Sequence, residues 1–200
     1  GPAAISFDDA TSPTAVATST TFGSYTLTWT ETNGTCASAD QVIITLSENP
    51  TANAGIDLQT CGLNIPLEAI PSLGTGAWTQ TSGPGTATFN NASSPTSLVT
   101  VDTYGSYQLT WTETNGSCSD AATISVDFFE QPTANAGTDA EECVQSHTMD
   151  AVFSLTGTTG SWVQVSGPGS SMFSDATSPT SDVNVTAYGT YVYEWSEDNN

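Results

Sequence analysis

The sequence has no lysine and no arginine, and its one histidine is His147. Against this stand 21 acidic residues and a formal net charge of −21. A chain without basic side chains has no electrostatic footprint for nucleic acid and is repelled by anionic lipid. No side-chain ion pair can form except one that uses His147. Long apolar runs are lacking as well. Nothing approaches the roughly 18 residues of a membrane-spanning helix, and no signal peptide is visible. Neither nucleic-acid binding nor membrane insertion is expected. A sustained helical period is also missing.

The negative charge is less disruptive than its size suggests. A compact chain of 20.6 kDa exposes roughly 9,000 Å², which leaves about 400 Å² per carboxylate and about 20 Å between neighbours. The Debye length at physiological salt is about 8 Å, so most of the repulsion is screened. What remains is a surface of neutral hydroxyls with sparse negative charge, which stays soluble and resists non-specific sticking.

Threonine is abundant, at 35 residues. It suits a pleated, half-exposed surface and disfavours helix interiors. The 17 glycines and 10 prolines are spread along the chain as punctuation. Such a composition favours an all-β protein of many short strands.

Internal repetition is the strongest signal. Pro50–Gly55 recurs as Pro132–Gly137, and Gly23–Gly34 recurs as Gly105–Gly116, both shifted by 82 residues. A diverged third copy of the latter runs Gly189–Trp195, shifted by 84 from the second. The Ser-Gly-Pro-Gly and Ser-Pro-Thr elements keep the same register. The chain therefore reads as the C-terminal part of one repeat (1–49), a complete repeat (50–131) and a C-terminally incomplete repeat (132–200). Because half a sandwich cannot cover its own inner face, we expect a window on a longer chain whose neighbouring repeats are its first partners.

Each repeat reads as about seven strands separated by turn signals, the pattern of an immunoglobulin-like β-sandwich. Tyr107, Leu109 and Trp111 alternate with Gln108, Thr110 and Thr112, and Ile124, Val126 and Phe128 with polar residues. Both runs have period two with one apolar face. Asn115-Gly116 between them predicts a type I′ hairpin, in which both central residues take positive φ. Trp78, Trp111, Trp162 and Trp195 are expected in the core. The Gly-x-Tyr-x-Leu-x-Trp spacing is that of a tyrosine corner, with Tyr107 fastening the crossing between sheets.

Several motifs together form a frame. It runs Pro-Thr-Ala-Asn-Ala-Gly-x-Asp, a Cys, a Trp strand, Ser-Pro-Thr, then Gly-x-Tyr-x-Leu-x-Trp-x-Glu-x-Asn-Gly-x-Cys. This frame resembles PKD-like, immunoglobulin-like tandem repeats of very large cell-surface adhesins of Bacteroidota-type bacteria, including those of gliding motility and type IX secretion. The resemblance covers the whole chain. It departs from ordinary PKD domains after Trp78, where Thr-Gln-Thr-Ser-Gly-Pro-Gly replaces their Trp-Asp-Phe-Gly-Asp-Gly signature. It implies a secreted, multi-repeat, non-catalytic protein at the bacterial cell surface.

Catalytic residues are not expected. His147 aligns with Ile65 one repeat earlier and reads as a strand-edge residue in an apolar slot. No Ser-His-Asp or Cys-His pairing recurs, and 21 acids supply only accidental carboxylate pairs. The chain is read as not an enzyme and without a cofactor, Ca²⁺ at the junctions being the one ion considered. Glu48 and Glu130 precede the Ala-Asn-Ala-Gly linker, and Asp57 and Asp139 follow it, as oxygen ligands would for Ca²⁺; solvated linker carboxylates are the plain alternative. The sequons at Asn33, Asn91, Asn115 and Asn184 read as incidental in a Thr-rich chain.

Cys36 and Cys118 follow the Asn-Gly hairpins, while Cys61 and Cys143 precede the second strand. This regularity points to disulfides, and without a Cys-x-x-Cys spacing zinc is disfavoured. Two pairings stay open. Cys61 with Cys118 would lie within one repeat, yet in immunoglobulin topology the two turns stand at opposite ends of a strand about 23 Å long, beyond the roughly 7 Å that a bridge spans. Those ends meet between consecutive repeats, where Cys61 would join the hairpin cysteine of the repeat that follows.

The resulting expectation is a structural stalk or filament segment of a surface adhesin, each repeat adding roughly 35–45 Å. A surface glycan or cell-surface ligand, and lateral self-association, are its possible partners. The alternative is a carbohydrate-binding accessory module of a secreted hydrolase, which would align two or three exposed aromatics on one face.

Overall fold

The computed structural model describes residues 1–199 and is all-β, with no helix among them. No helix is therefore long and apolar enough to cross a membrane.

The middle repeat holds seven strands: β5 (Leu58–Cys61), β6 (Asn64–Pro66), β7 (Thr75–Ser82), β8 (Ala87–Phe89), β9 (Leu98–Val101), β10 (Gly105–Asn115) and β11 (Cys118–Phe129). They form a four-stranded sheet in the order β5-β11-β10-β7 and a three-stranded sheet in the order β6-β9-β8. All pairings are antiparallel except β5 with β11. The alternating residues read from the sequence supply the core between the two sheets. Trp78, Tyr107, Leu109, Trp111, Ile124, Val126 and Phe128 come from one sheet, and Val99 and Val101 from the other. Trp78 stands directly across from Trp111 in the β7–β10 register, their ring centroids 5.4 Å apart.

The third repeat repeats this plan as far as its strands allow. Its strands are β12 (Ser146–Thr148), β13 (Thr159–Ser166), β14 (Ser171–Phe173), β15 (Asp182–Val185) and β16 (Val192–Asp198). The sheet β12-β15-β14 corresponds to β6-β9-β8, and the pair β13-β16 to β7-β10. Trp162 and Trp195 are again paired across the ladder, 5.2 Å between centroids, over a second core. Residues 140–143, which match β5, form no strand. In the middle repeat β5 pairs only with β11, and the third repeat has no counterpart of β11 among the described residues.

The first repeat consists of β1 (Ser6–Phe7) with β2 (Ala17–Thr18), and β3 (Gly23–Asn33) with β4 (Cys36–Leu46). Its hairpin face has little to pack on, and Trp29, Val42 and Ile44 stay exposed. The accessible surface is 12,322 Å², against the roughly 9,000 Å² expected of one compact body of this mass. Two separate cores and an open hairpin account for the excess.

All four tryptophans expected in the core are buried. The tyrosine corner is present in each repeat: Tyr107 donates to the Thr103 carbonyl (2.8 Å), Tyr25 to that of Thr21 (2.7 Å) and Tyr191 to that of Ala187 (2.9 Å). The hairpin differs from the type I′ expectation. Asn115 pairs with Cys118, so the two-residue loop is Gly116-Ser117. Gly116 has φ 63°, and among the described residues none other than glycine has positive φ. Glycine alone at the first central position is the II′ pattern; the asparagine sits one place earlier, in the strand, where its side chain is free for another task.

Candidate functional site

The residues with a repeated, non-core arrangement gather where one repeat meets the next. Asn115, at the tip of β10, donates its side-chain amide to the Glu48 carbonyl at 2.8 Å. Beside it, the Cys118 thiol points at the Ser47 carbonyl, 3.5 Å away. Asn199 makes the same contact one repeat later, donating to the Glu130 carbonyl at 2.7 Å. At both joints the asparagine in this place thus clasps the strand exit of the repeat before it.

The linker is tied into its own repeat by a chain of polar contacts. Thr51 donates its N–H to the Ser72 hydroxyl oxygen (2.9 Å). Ser72 in turn donates both its hydroxyl and its N–H to the Glu113 carboxylate. The Trp111 indole donates to the same carboxylate at 2.9 Å. In the third repeat Thr133 donates to Ser154 (2.9 Å), and Ser154 to Glu197 through N–H (2.9 Å) and hydroxyl (3.1 Å). Ala52 adds a bond from its N–H to Asp120 (2.9 Å), and Pro50 and Ala54 are buried. The linker is therefore packed and hydrogen-bonded, which suits a stiff joint.

Glu113 is 1% exposed, with no cation near it. Burial opposes its ionisation. Bonds from the Ser72 hydroxyl, the Trp111 indole and the Ser72 and Leu73 N–H groups outweigh that cost and hold its carboxyl below the ordinary value. Glu197 is shifted the same way: burial opposes it, and Thr158, Leu155 and Ser154 outweigh the burial. Ser72 and Glu113 are not singled out by the sequence reading, and Asn115 is read there only as a turn residue and an incidental sequon. The signal was available, since Glu31, Glu113 and Glu197 recur in register, as do Asn33, Asn115 and Asn199.

The four carboxylates considered for Ca²⁺ are not brought together. Asp57 accepts the Ser125 N–H at 2.8 Å, continuing the ladder beside β11 where β5 has not yet begun. Glu48 and Glu130 contribute backbone carbonyls to the hairpin clasps. Asp139 lies on the exposed stretch before Cys143. Among the described residues no group of three or more His, Cys, Asp or Glu side chains is placed to hold a metal ion.

The cysteines are separated in a definite way. Cys61 lies opposite Phe129 at the end of β11, whereas Cys118 lies opposite Asn115 at its start. About 37 Å of strand lies between the two positions, so the reading that joins Cys61 to Cys118 within one repeat is corrected by the strand register. All four thiols are free.

His147 takes the place of Ile65, opposite Val183 as Ile65 is opposite Val99. Its Nδ1 lies 3.1 Å from Glu142.

No protein-family model and no curated protein matches the chain. Among solved structures it is similar to an endo-fucoidan hydrolase from glycoside hydrolase family 107, at 12% identity and TM-score 0.32, covering 96% of this chain and 36% of that one. It is similar to the extracellular domains 3–5 of Drosophila OTK at 11% identity and TM-score 0.39, covering 81% and 65%. A third likeness is to domains 1–6 of the surface layer protein SbsC, at 12% identity and TM-score 0.28, covering 92% and 27%. The chain spans about a third of the hydrolase's length. At these TM-scores the likenesses carry no argument about activity.

Proposed function

We propose that this chain is a length of stalk in a secreted bacterial surface adhesin, built of immunoglobulin-like, PKD-like sandwich repeats, and that it acts by reach and stiffness instead of by chemistry. The strand order of the middle repeat supports the immunoglobulin-like reading: one sheet carries the third, sixth and seventh strands, the other the second, fourth and fifth, as in that fold. Its first strand joins the former sheet, alongside β11.

One observation carries the stalk. The chain enters the middle repeat beside the β10–β11 hairpin, where Ala52 bonds Asp120, and leaves it after Phe129, at the other end of β11. Entry and exit at opposite poles stack repeats end to end, with an advance of about 40 Å for each, the length of β11. The clasps from Asn115 and Asn199 hold each joint. Stability in such arrays is the sum of each repeat and its contacts with its neighbours.

The test is small-angle scattering on chains carrying one, two and three complete repeats. A maximum dimension that rises by about 40 Å per repeat supports the stalk; a dimension that saturates overturns it. The rival carbohydrate-binding reading has one observation in its favour. Phe22, Tyr104 and Tyr188 hold the same place in each repeat and are exposed. That is one ring per repeat, spaced a repeat apart, instead of the two or three on one face of a sugar platform. Saturable binding of a soluble glycan that is lost in Tyr104→Ala would favour it.

A further inference from the structure

We propose that the hairpin cysteine of each repeat, the position of Cys118, forms a disulfide with the cysteine at the position of Cys61 in the repeat before it, so that covalent bonds staple the joints of the stalk. The inference deepens the end-to-end reading and rests on it.

The argument superposes two junctions of this one chain. At the first, the Cys118 thiol lies 3.5 Å from the Ser47 carbonyl. Ser47 is the counterpart of Phe129 one repeat earlier, and Glu48 that of Glu130. At the second, Asn199 bonds Glu130 as Asn115 bonds Glu48, so the end of the third repeat's β10-like strand is seated on the second joint as the end of β10 is on the first. A thiol three residues beyond Asn199, in the place of Cys118, would therefore lie at the Phe129 carbonyl. Phe129 is the register partner of Cys61, and Gly62 donates its N–H to that same carbonyl at 2.9 Å. The hairpin thiol and the Cys61–Gly62 backbone thus meet at one carbonyl, and the bond requires the two cysteine Cα atoms to come within about 4.4–6.8 Å there.

Within the described chain Cys118 faces the strand exit of the repeat before its own, and Cys61 lies beside the strand exit of its own repeat. Each bond forms by thiol–disulfide exchange. One protein thiolate attacks oxidised glutathione and releases one glutathione thiol. The second protein thiolate then attacks the mixed disulfide and releases the other. Two protein thiols are oxidised, one glutathione disulfide is reduced, and the two protons of the protein thiols end on the two glutathione thiols.

Two extended chains test the proposal from its two sides. In the first, copies of residues 117–131 follow Asn200 and complete the third repeat. In the second, copies of residues 50–82 precede Gly1 and complete the first. Each is incubated folded with oxidised glutathione, alkylated, cut with a Glu-specific protease without reduction, and mapped by mass. The first should yield a peptide joining Cys61 to the appended hairpin cysteine, and the second a peptide joining Cys118 to the prepended copy of Cys61. The remaining cysteines should be alkylated. Cys61→Ser in the first chain should leave the appended thiol fully alkylated. Full alkylation of both chains, or a Cys61–Cys118 bond, overturns the staple. Scattering of the same chains kept reduced separates this outcome from the stalk itself: a rod without the crosslink overturns only the bond, and a compact reduced chain overturns both.

Discussion

The Trp111 indole N–H donates to the Glu113 carboxylate at 2.9 Å, two residues along the same strand. The Ser72 hydroxyl and N–H reach the same carboxylate from the loop before β7. A buried acid in a chain without lysine or arginine has no counter-ion, and neutral donors alone keep it ionised. Replacing Glu113 by Gln leaves the shape intact but turns an amide NH₂ toward donors. Glu113→Gln should destabilise the middle repeat by about 1.5–3 kcal/mol, read by urea unfolding monitored on tryptophan fluorescence. Glu31→Gln, at the equivalent but exposed position, should change stability by less than about 0.5 kcal/mol.

The same carboxylate sets a pH dependence. Its folded-state pKa lies below the ordinary 4.5, so the unfolded chain binds the proton first as pH falls. The stability that Glu113 contributes is fully present above about pH 4.5 and is lost as pH falls through the lower folded-state value. Asp102, whose carboxyl is lowered by the Thr86 N–H, contributes in the same direction. Protonation also relieves repulsion among 21 acids, but salt screens that effect. Thermal unfolding in 0.15 M salt should therefore show a midpoint that falls below pH 4.5, with a smaller fall in Glu113→Gln. An unchanged or rising midpoint would refute the assignment.

The Tyr107 hydroxyl bonds Thr103 where the chain crosses from β9 in one sheet to β10 in the other. Tyr107→Phe keeps the ring against Phe128 and removes only that bond. A loss of about 1 kcal/mol is expected. Equal stability by urea unfolding would show that the corner is not anchored by its hydroxyl.

Gly76 lies beneath the Trp111 ring, and Gly160 beneath Trp195. A methyl group at either position would collide with the indole. Gly76→Ala should cost about 1–3 kcal/mol through overpacking and shift the near-ultraviolet circular dichroism of the tryptophans. A variant with wild-type stability and spectrum would count against this packing.

The junction clasp is tested by Asn115→Ala. Losing the bond to the Glu48 carbonyl frees the linker without touching either core. Cleavage after Glu48 by a Glu-specific protease should speed up several-fold while the unfolding midpoint moves little. Equal cleavage rates would remove the clasp from the account.

Strands β3 and β10 separate what the sequence decides from what it leaves open. They read Gly-Ser-Tyr-Thr-Leu-Thr-Trp-Thr-Glu-Thr-Asn and Gly-Ser-Tyr-Gln-Leu-Thr-Trp-Thr-Glu-Thr-Asn, differing at one position. Both form eleven-residue antiparallel strands with a tyrosine corner and a hairpin at the Gly-x-Cys turn. Period-two alternation and turn chemistry are local, so the strands, the repeat length and the four core tryptophans were legible from residues alone. Burial is not local. Trp111 is 1% exposed and Trp29 is 38% exposed, because β7 and a facing sheet cover the first while the second has neither. The Ser72–Glu113 bond joins residues 41 positions apart, and the placing of Cys61 opposite Phe129 depends on which strands share a sheet. The sequence alone determined which segments are strands and which of their faces is apolar. Only the tertiary structure decided which carboxylate is buried, which asparagine clasps the linker and which ends the cysteines occupy, since those depend on partners that pairing brings together from distant parts of the chain.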